Sequence, residues 1–248
     1  MPNALAPCHI ALAVRPSVRE GGREGPHELS DVVFSVAQLL QSLGYTPVIE
    51  ALSATEVDNP PWPQLTIGEI GMNCGLVIAL GGDGTFISMA RQLARYDVPL
   101  VGVNQGRLGF LTDLSMANLA TALPQILAGA YREERRVLLS TTSSVTDDQE
   151  FLAVNDVVVN RGAATSLVDL EISLNDRFAY GFRSDGAIVA TPTGSTAYAL
   201  SAGGPIMAPF VNAFTIVPIA PHALTNRPIV VADDSEIRIT VARARNAI

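Results

Sequence analysis

Residues 81–85 read Gly-Gly-Asp-Gly-Thr and follow directly on the apolar run Leu76-Val77-Ile78-Ala79-Leu80. This order predicts a buried strand that turns sharply through glycines into a helix. Glycine lets the main chain approach a bound phosphate without collisions from Cβ. The first turn of the helix then offers unpaired N–H groups and a positive dipole end to an anion. Asp83 is the odd member, because a carboxylate repels phosphate unless it holds a metal or accepts a proton. The combination points to phosphoryl transfer to a hydroxyl, with Asp83 handling the hydroxyl proton.

Three further segments carry ligand-type side chains. Asn104-Gln105-Gly106-Arg107-Leu108-Gly109-Phe110-Leu111-Thr112-Asp113 follows a predicted strand, where open α/β sheets place their binding loops. Asn155-Asp156 stands directly ahead of Val157-Val158-Val159 and can hydrogen-bond the hydroxyls of a ribose. Ser184-Asp185-Gly186 leads through Ala187–Ala190 to Thr191-Pro192-Thr193-Gly194-Ser195-Thr196-Ala197-Tyr198 and Ser201-Ala202-Gly203-Gly204-Pro205. Taken singly, a glycine turn, a capped Asn-Asp turn and a tightly packed helix entry are each ordinary structure. Together they share one kind of chemistry, which unrelated turns have no reason to do.

The elements that must position these residues divide into two styles. His9–Val14, Pro47–Glu50, Leu76–Leu80 and Val98–Val103 read as strands. Between them, helical spacing runs from Val32 to Leu43, with Ser30 or Asp31 as its cap and Gly44 as its end, and again from about Thr85 to Tyr96. A further helix is predicted from Met116 to Ala128 with Ser115 as cap, and the proline-rich stretch Ser53–Thr66 around Trp62 reads as a loop. Strands alternating with helices predict a parallel sheet covered on both sides. From about Arg132 the pattern changes to consecutive strands: Leu138–Ser144, Ala153–Asn160, Leu167–Leu174, Phe178–Phe182 and Ala187–Thr191. These predict an antiparallel sheet or sandwich. The expected organisation is therefore an α/β N-terminal domain over residues 1–131 and a β-rich domain over 132–248. The polar loops Pro16–Glu28 and Thr146–Glu150 are candidates for mobility.

Composition excludes several classes. Apolar residues make up 48% of the 248 and charged residues 16%, which suits a buried core rather than a disordered chain. A net charge of −8 argues against a nucleic-acid binder, and no apolar run approaches the ~18 residues of a membrane span. Cys8 and Cys74 read as free core thiols of a reducing compartment, and a cytoplasmic enzyme is expected. All sixteen positive side chains are arginine. Without lysine, a Walker-type phosphate loop, a protein-kinase ATP site and a Schiff-base enzyme are excluded in their usual forms. His9, His27 and His222 show no zinc-site spacing.

The four motifs together resemble the bacterial NAD kinases, whose members share a GGDGT loop, a GVNxGxLGFLT segment, an Asn–acid pair before a strand and a long SDGxxxxTPTGSTAYxLSAGGPI signature. All four occur here in that order, and the likeness runs from the first strand to about Ile239. GGDG alone is shared with diacylglycerol-type lipid kinases and phosphofructokinases; the TPTGSTAY run separates NAD kinases from both. The resemblance implies a Mg²⁺-dependent transfer of the ATP γ-phosphoryl to the adenosine-ribose 2′-hydroxyl of NAD. It implies Asp83 as base or orienting acceptor and Gly81, Gly82, Gly84 and Thr85 along the phosphate path. Phe110 is expected beside the adenine, and Asn155 and Asp156 at the nicotinamide-ribose side. Gly84, Asp185, Thr196, Ala197, Tyr198 and Ser201 are expected to contact the dinucleotide, with Arg183 close by. It assigns no protein ligand to the metal, and implies a homo-oligomer, dimer or tetramer, with no membrane or nucleic-acid partner.

Two departures stand out. Position 156 is Asp where the family commonly has Glu, and the family usually continues beyond this chain's last residue through strands that return to the N-terminal domain. An end at Ile248 would expose an edge strand and weaken interdomain packing. A lipid kinase and a non-catalytic dinucleotide sensor are the rival readings, and intact Asp83 speaks against the sensor. The charge of Arg183 is expected to favour NAD over NADH. Steady-state rates on the two dinucleotides test this; a faster reaction with NAD is the expected result, and equal rates contradict it.

Overall fold

The structure is a computed structural model that describes residues 8–15, 18–19, 22–23, 26–106, 109–162, 167–223 and 225–244. Arg107 and Leu108 of the second motif, and residues 16–17, 20–21 and 24–25 of the first polar loop, lie outside the described residues. The chain divides into two compact units, Met1–Arg132 and Glu133–Ile248.

The first unit runs β1 (His9–Val14), a small hairpin of β2 (Val18–Arg19) and β3 (Gly22–Arg23), α1 (Pro26–Ser42), β4 (Thr46–Glu50), the single turn α2 (Ala51–Ala54), β5 (Gln64–Leu65) and α3 (Ile67–Asn73). It continues with β6 (Leu76–Gly81), α4 (Asp83–Leu93), β7 (Leu100–Asn104), β8 (Leu114–Ser115) and α5 (Met116–Leu127). Six strands form one parallel sheet in the order β5-β4-β1-β6-β7-β8. Alternation splits β1 between two layers. Ile10, Leu12 and Val14 pack with Leu29, Val33 and Leu40 of α1 and Leu119 and Leu123 of α5. Ala11 and Ala13 face Ile70 of α3 and Met89 and Leu93 of α4. The chain leaves β1 to one side for β4 and to the other for β6, so the order reverses between β1 and β6. Ligands of open α/β sheets bind outside the carboxyl ends of strands at such a reversal.

Several boundaries differ from the sequence reading. The first helix begins at Pro26, since proline at a first helical position gives up only an N–H that would be unpaired there. Ser30 is then no cap; its Oγ accepts from the Asp58 N–H at 2.9 Å. Gly44, at φ +84°, ends that helix as expected. α4 starts at Asp83 and stops at Leu93, shorter at its end than predicted. α3 is a helix the sequence reading does not contain. Its cap is reciprocal: Thr66 Oγ1 accepts from the Glu69 N–H, and Glu69 Oε2 accepts from the Thr66 N–H. Trp62 anchors its loop edge-on against Phe34, ring centroids 4.9 Å apart.

The second unit holds the hairpin β9 (Leu139–Thr141) and β10 (Phe151–Ala153), followed by β11 (Asp156–Asn160), β12 (Val168–Leu174), β13 (Arg177–Ser184) and β14 (Gly186–Ala190). A 3-10 turn (Thr193–Thr196), the single turn α6 (Tyr198–Ser201), β15 (Ala213–Ile219), β16 (Ile229–Ala232) and β17 (Ile237–Ala244) complete it. The antiparallel sheets β11-β14-β15-β16 and β13-β12-β17 bury Leu170, Ile172 and Phe182 against Val189, Phe214 and Ile216. This is the sandwich of a β-rich domain. Asn175 and Asp176, both at positive φ, make the two-residue turn between β12 and β13. The predicted strand Ala153–Asn160 is two strands, broken at Val154-Asn155, and Leu138–Ser144 pairs over only three residues.

Cys8 is exposed and not in a core; Cys74 is buried, and burial pushes its thiol up to about 11. No helix among the described residues is long and apolar enough to cross a membrane.

Ile172 is fully buried at the centre of the sandwich. Ile172→Ala is expected to cost about 2–5 kcal/mol in urea unfolding. A loss below about 1 kcal/mol would show that the two sheets do not depend on each other there.

Candidate functional site

The glycine loop lies at the carboxyl end of β6, beside the reversal of strand order. Gly81 packs so closely on buried Thr85 that any Cβ would collide with Thr85 Oγ1. Gly82 and Gly84 face open space, so a ligand meets main chain there and no side chain. Gly82 caps α4, and Asp83 is its first residue.

The Asp83 carboxylate holds two loops together. Oδ2 accepts from the Phe110 N–H at 2.9 Å and Oδ1 from the Leu111 N–H at 3.1 Å. Gly109 passes so close to the same carboxylate that a side chain there would overlap it. Behind this contact, buried Asn104 donates from Nδ2 to Thr112 Oγ1 at 3.2 Å and accepts on Oδ1 from the Gly106 N–H at 2.6 Å. The Gln105 N–H donates to the Gly81 carbonyl at 3.3 Å, while Gln105 Nε2 is buried with no partner among the described residues. Thus Gly82, Asp83, Gly84 and Thr85 are brought to one place with Phe110, a residue 78% exposed. Asn104, Gly109 and Thr112 were inside the motif but not singled out. Only their contacts across the turn give them a role.

The second unit gathers a different set. Asn155 sits between β10 and β11, and its carbonyl accepts from the Thr191 N–H at 2.9 Å. Thr191 Oγ1 donates to the Val154 carbonyl at 2.6 Å and accepts from the Gly194 N–H at 3.0 Å. Gly194 lies against the Asn155 backbone with no room for a Cβ. Asn155 Oδ1 is buried and accepts from nothing among the described residues. Asp156 opens β11 opposite Ala190. Val157 and Val159 face the sandwich core, so Asp156 and Val158 take the other face, where Ile188, Ala190, Ala199 and Val217 pack. Burial raises the Asp156 carboxyl above its ordinary value. Ser195 Oγ ties this segment down, donating to the Pro192 carbonyl at 2.7 Å and accepting from the Met207 N–H at 3.0 Å. Thr196 and Ala197 are partly exposed, and Tyr198 and Ser201 are exposed on the single turn that follows.

Asp185 and Arg183 are not part of that gathering. Gly186 pairs with Asn160 and Ala190 with Asp156, so Asp185 lies beyond the opposite end of β14, about 16 Å along the strand from Ala190. Asp185 pairs with Arg161 at 2.9 Å. Arg183 grips Asp169 across the strands with two bonds of 2.8 and 3.2 Å. The Asp169 hydrogen bond and charge push the guanidinium up from its usual value. The exposed His222 donates its backbone N–H to the Arg183 carbonyl. Among the described residues no three His, Cys, Asp or Glu side chains cluster as metal ligands would.

Both units match known sequences. The ATP-NAD kinase N-terminal domain matches residues 30–131 and the ATP-NAD kinase C-terminal domain residues 154–248. The NAD kinase of Methylibium petroleiphilum is 48% identical over 222 residues, covering 87% of this chain and 74% of its own length. That of Nitrosomonas europaea is 47% identical over 222 residues, covering 88% and 75%. Among solved structures, yeast NADH kinase complexed with NADH superposes with a TM-score of 0.79 at 25% identity, over 97% of this chain and 73% of that one. An NAD kinase from Archaeoglobus fulgidus in complex with ATP gives 0.70 at 27% identity, over 93% and 80%.

The raised Asp156 carboxyl has a stability consequence. Its folded value exceeds the unfolded one, so the ionised group destabilises the fold above the raised value, and the penalty disappears below the ordinary aspartate range. Asp156→Asn is expected to melt above the parent at pH 8 and to lose that advantage in acid. Thermal unfolding against pH measures this, and an unchanged or lower melting temperature at pH 8 contradicts it.

Proposed function

We propose, from the premise that this chain belongs to the NAD kinase family, that it phosphorylates the adenosine-ribose 2′-hydroxyl of NAD. The γ-phosphoryl of ATP is the group transferred, and NADP and ADP are the products. The yeast relative complexed with NADH and the archaeal relative complexed with ATP support these two substrate types. The observation that carries the reading is the position of Asp83, held by two backbone N–H groups at the mouth of an open glycine loop.

Each Asp83 oxygen spends one lone pair on the 110–111 backbone and keeps another for a substrate. The 2′-hydroxyl donates to that carboxylate. As its oxygen bonds to the γ-phosphorus, the proton passes to Asp83 and the bond to the β–γ bridging oxygen breaks, releasing ADP. A ribose hydroxyl is a weak nucleophile, so alignment and charge neutralisation supply most of the acceleration. The N–H groups of the first α4 turn serve the phosphate chain, and the bare surfaces of Gly82 and Gly84 let it approach. Magnesium would arrive with ATP and would supply charge neutralisation on the phosphate chain when bound.

Asn155 Oδ1, a buried acceptor without a donor among the described residues, suits a ribose hydroxyl, and Asp156 follows it in the chain as a second candidate acceptor. The exposed Phe110 ring suits the adenine, and Thr196, Ala197, Tyr198 and Ser201 the remaining dinucleotide contacts. Asp185 and Arg183 carry less of this reading, because their side chains are engaged by Arg161 and Asp169. A homo-oligomer remains part of the proposal.

Asp83→Asn keeps one acceptor oxygen toward the loop, sets an amide N–H₂ that cannot accept against the second backbone donor, and loses the base. It is expected to retain NAD binding, weakened by about tenfold through the lost loop bond, while turnover falls by about two to four orders of magnitude. Calorimetric NAD binding and steady-state NADP formation measure the two effects. Near-normal turnover in this variant would remove Asp83 from the chemistry.

A further inference from the structure

One buried charged cluster stands outside the loops described above, at the carboxyl edge of the parallel sheet. Glu50, the last residue of β4, is 1% exposed. It accepts from Ser53 Oγ at 2.6 Å, from the Ser53 and Leu52 N–H groups at 2.8 and 3.1 Å, and from Arg15 Nη1 at 3.0 Å. Burial by itself would raise this carboxyl; the donors together outweigh it and hold the group below its usual range. With its one proton given to Glu50, Ser53 Oγ in turn accepts from the Val14 N–H at 2.9 Å.

Arg15 is therefore anchored through a single nitrogen. The two N–H groups of Nη1 are shared among the Val14 carbonyl at 2.9 Å, Glu50 at 3.0 Å and Ser53 Oγ at 2.8 Å. Nε and Nη2, the other edge of the planar fork, find no partner among the described residues, and the side chain is 27% exposed. A guanidinium fixed along one edge by a buried carboxylate is a preorganised donor pair, the geometry that suits a phosphate or carboxylate. Its place narrows the choice. Val14 pairs with Leu80, so the Arg15 backbone stands level with Gly81, one strand spacing of about 4.8 Å away, while its anchored nitrogen reaches to Glu50 at the end of β4, the other neighbour of β1. Continuing the alternation of β1, it falls with Ala11 and Ala13 on the face covered by α4, the helix that the glycine loop begins. Arg91 lies in the last turn of α4, at the other end. The chain has no lysine to neutralise a phosphate chain.

We propose that Arg15 is a phosphate-binding residue whose Nε–Nη2 edge takes an oxygen of the phosphate chain of a nucleotide at the glycine loop. This rests on the reading of that loop as a nucleotide site. The phosphate belongs either to the triphosphate of the donor or to the diphosphate of the dinucleotide, and the two are separable. If Arg15 only neutralised Glu50, lysine would replace it without kinetic consequence. Lysine keeps a charge and an N–H for Glu50 but has no second edge.

The test is Arg15→Lys, assayed with ATP and NAD varied in turn, together with melting of parent and variant with and without inorganic tripolyphosphate. The expected result is an unliganded melting temperature close to the parent's, a KM raised about tenfold for one nucleotide, and stabilisation by tripolyphosphate reduced by more than half. A raised KM for ATP assigns the donor chain; a raised KM for NAD assigns the dinucleotide diphosphate. Parental KM values for both nucleotides with parental tripolyphosphate stabilisation would overturn the proposal, as would a loss of melting temperature alone. Should the parent make no NADP, the proposed function fails, and the tripolyphosphate comparison still decides the role of Arg15.

Discussion

The first unit depends on one carboxylate accepting two backbone hydrogen bonds from a neighbouring turn. β6 and β7 are adjacent, with Gly81 paired to Asn104, and the loops that leave them are joined again by the Gln105 N–H on the Gly81 carbonyl. Asp83 draws the second loop back by binding the N–H groups of Phe110 and Leu111, and it does so from the first residue of α4. Backbone donors to a carboxylate are charge-assisted and directional, so they set the orientation of the group as well as its position. The glycines on either side follow from this constraint. Gly109 must lack a side chain for the turn to come so close, and Gly81 must lack one for Thr85 to pack beneath the helix start. The carboxylate that the proposed chemistry would use as its base is thereby oriented by backbone donors.

The second unit solves a related problem with a sheet. The β11-β14-β15-β16 sheet gives one face to the sandwich core and the other to the segment 191–204, which crosses β14 and packs Ala199 against Ile188, Ala190 and Val217. Small residues make that crossing possible. Gly194 sits on the Asn155 backbone, and Gly204 on the Ala199 carbonyl, at distances no Cβ would tolerate. The polar groups of the crossing mostly satisfy one another: Thr191 with Val154 and Gly194, Ser195 with Pro192 and Met207. Asn155 Oδ1 is the exception, a buried acceptor left over for something else. Such a group costs free energy until it is matched, and the ribose hydroxyl of the proposed substrate would match it.

Much of this was legible in the residue order, and the exceptions have physical causes. Strand, glycine turn and helix at 76–93 could be read because each is local: an apolar run, a conformational break and a periodic stripe. α3 escaped because seven residues carry little periodicity, although the Thr66-x-x-Glu69 box that starts it was present. β15 escaped in part because Pro218 interrupts its apolar run, and proline argues against an interior strand. Contacts between distant residues could not be read at all. Nothing local to Gly109 says that Asp83 occupies its Cβ direction, and nothing local to Arg183 says that Asp169 lies opposite it. The same holds for Arg15 and Glu50, thirty-five positions apart and joined only by the parallel pairing of β1 with β4.

The central claim is the identity of acceptor and product, and it is reached most directly with the unaltered protein. NAD, ATP and Mg²⁺ are incubated with it, and the product is read with a dehydrogenase that accepts only NADP; diacylglycerol replaces NAD in a parallel reaction with labelled ATP. The account predicts NADP formation that requires both ATP and the protein, and no labelled lipid. NAD bound but never phosphorylated, or label appearing in the lipid, would contradict it.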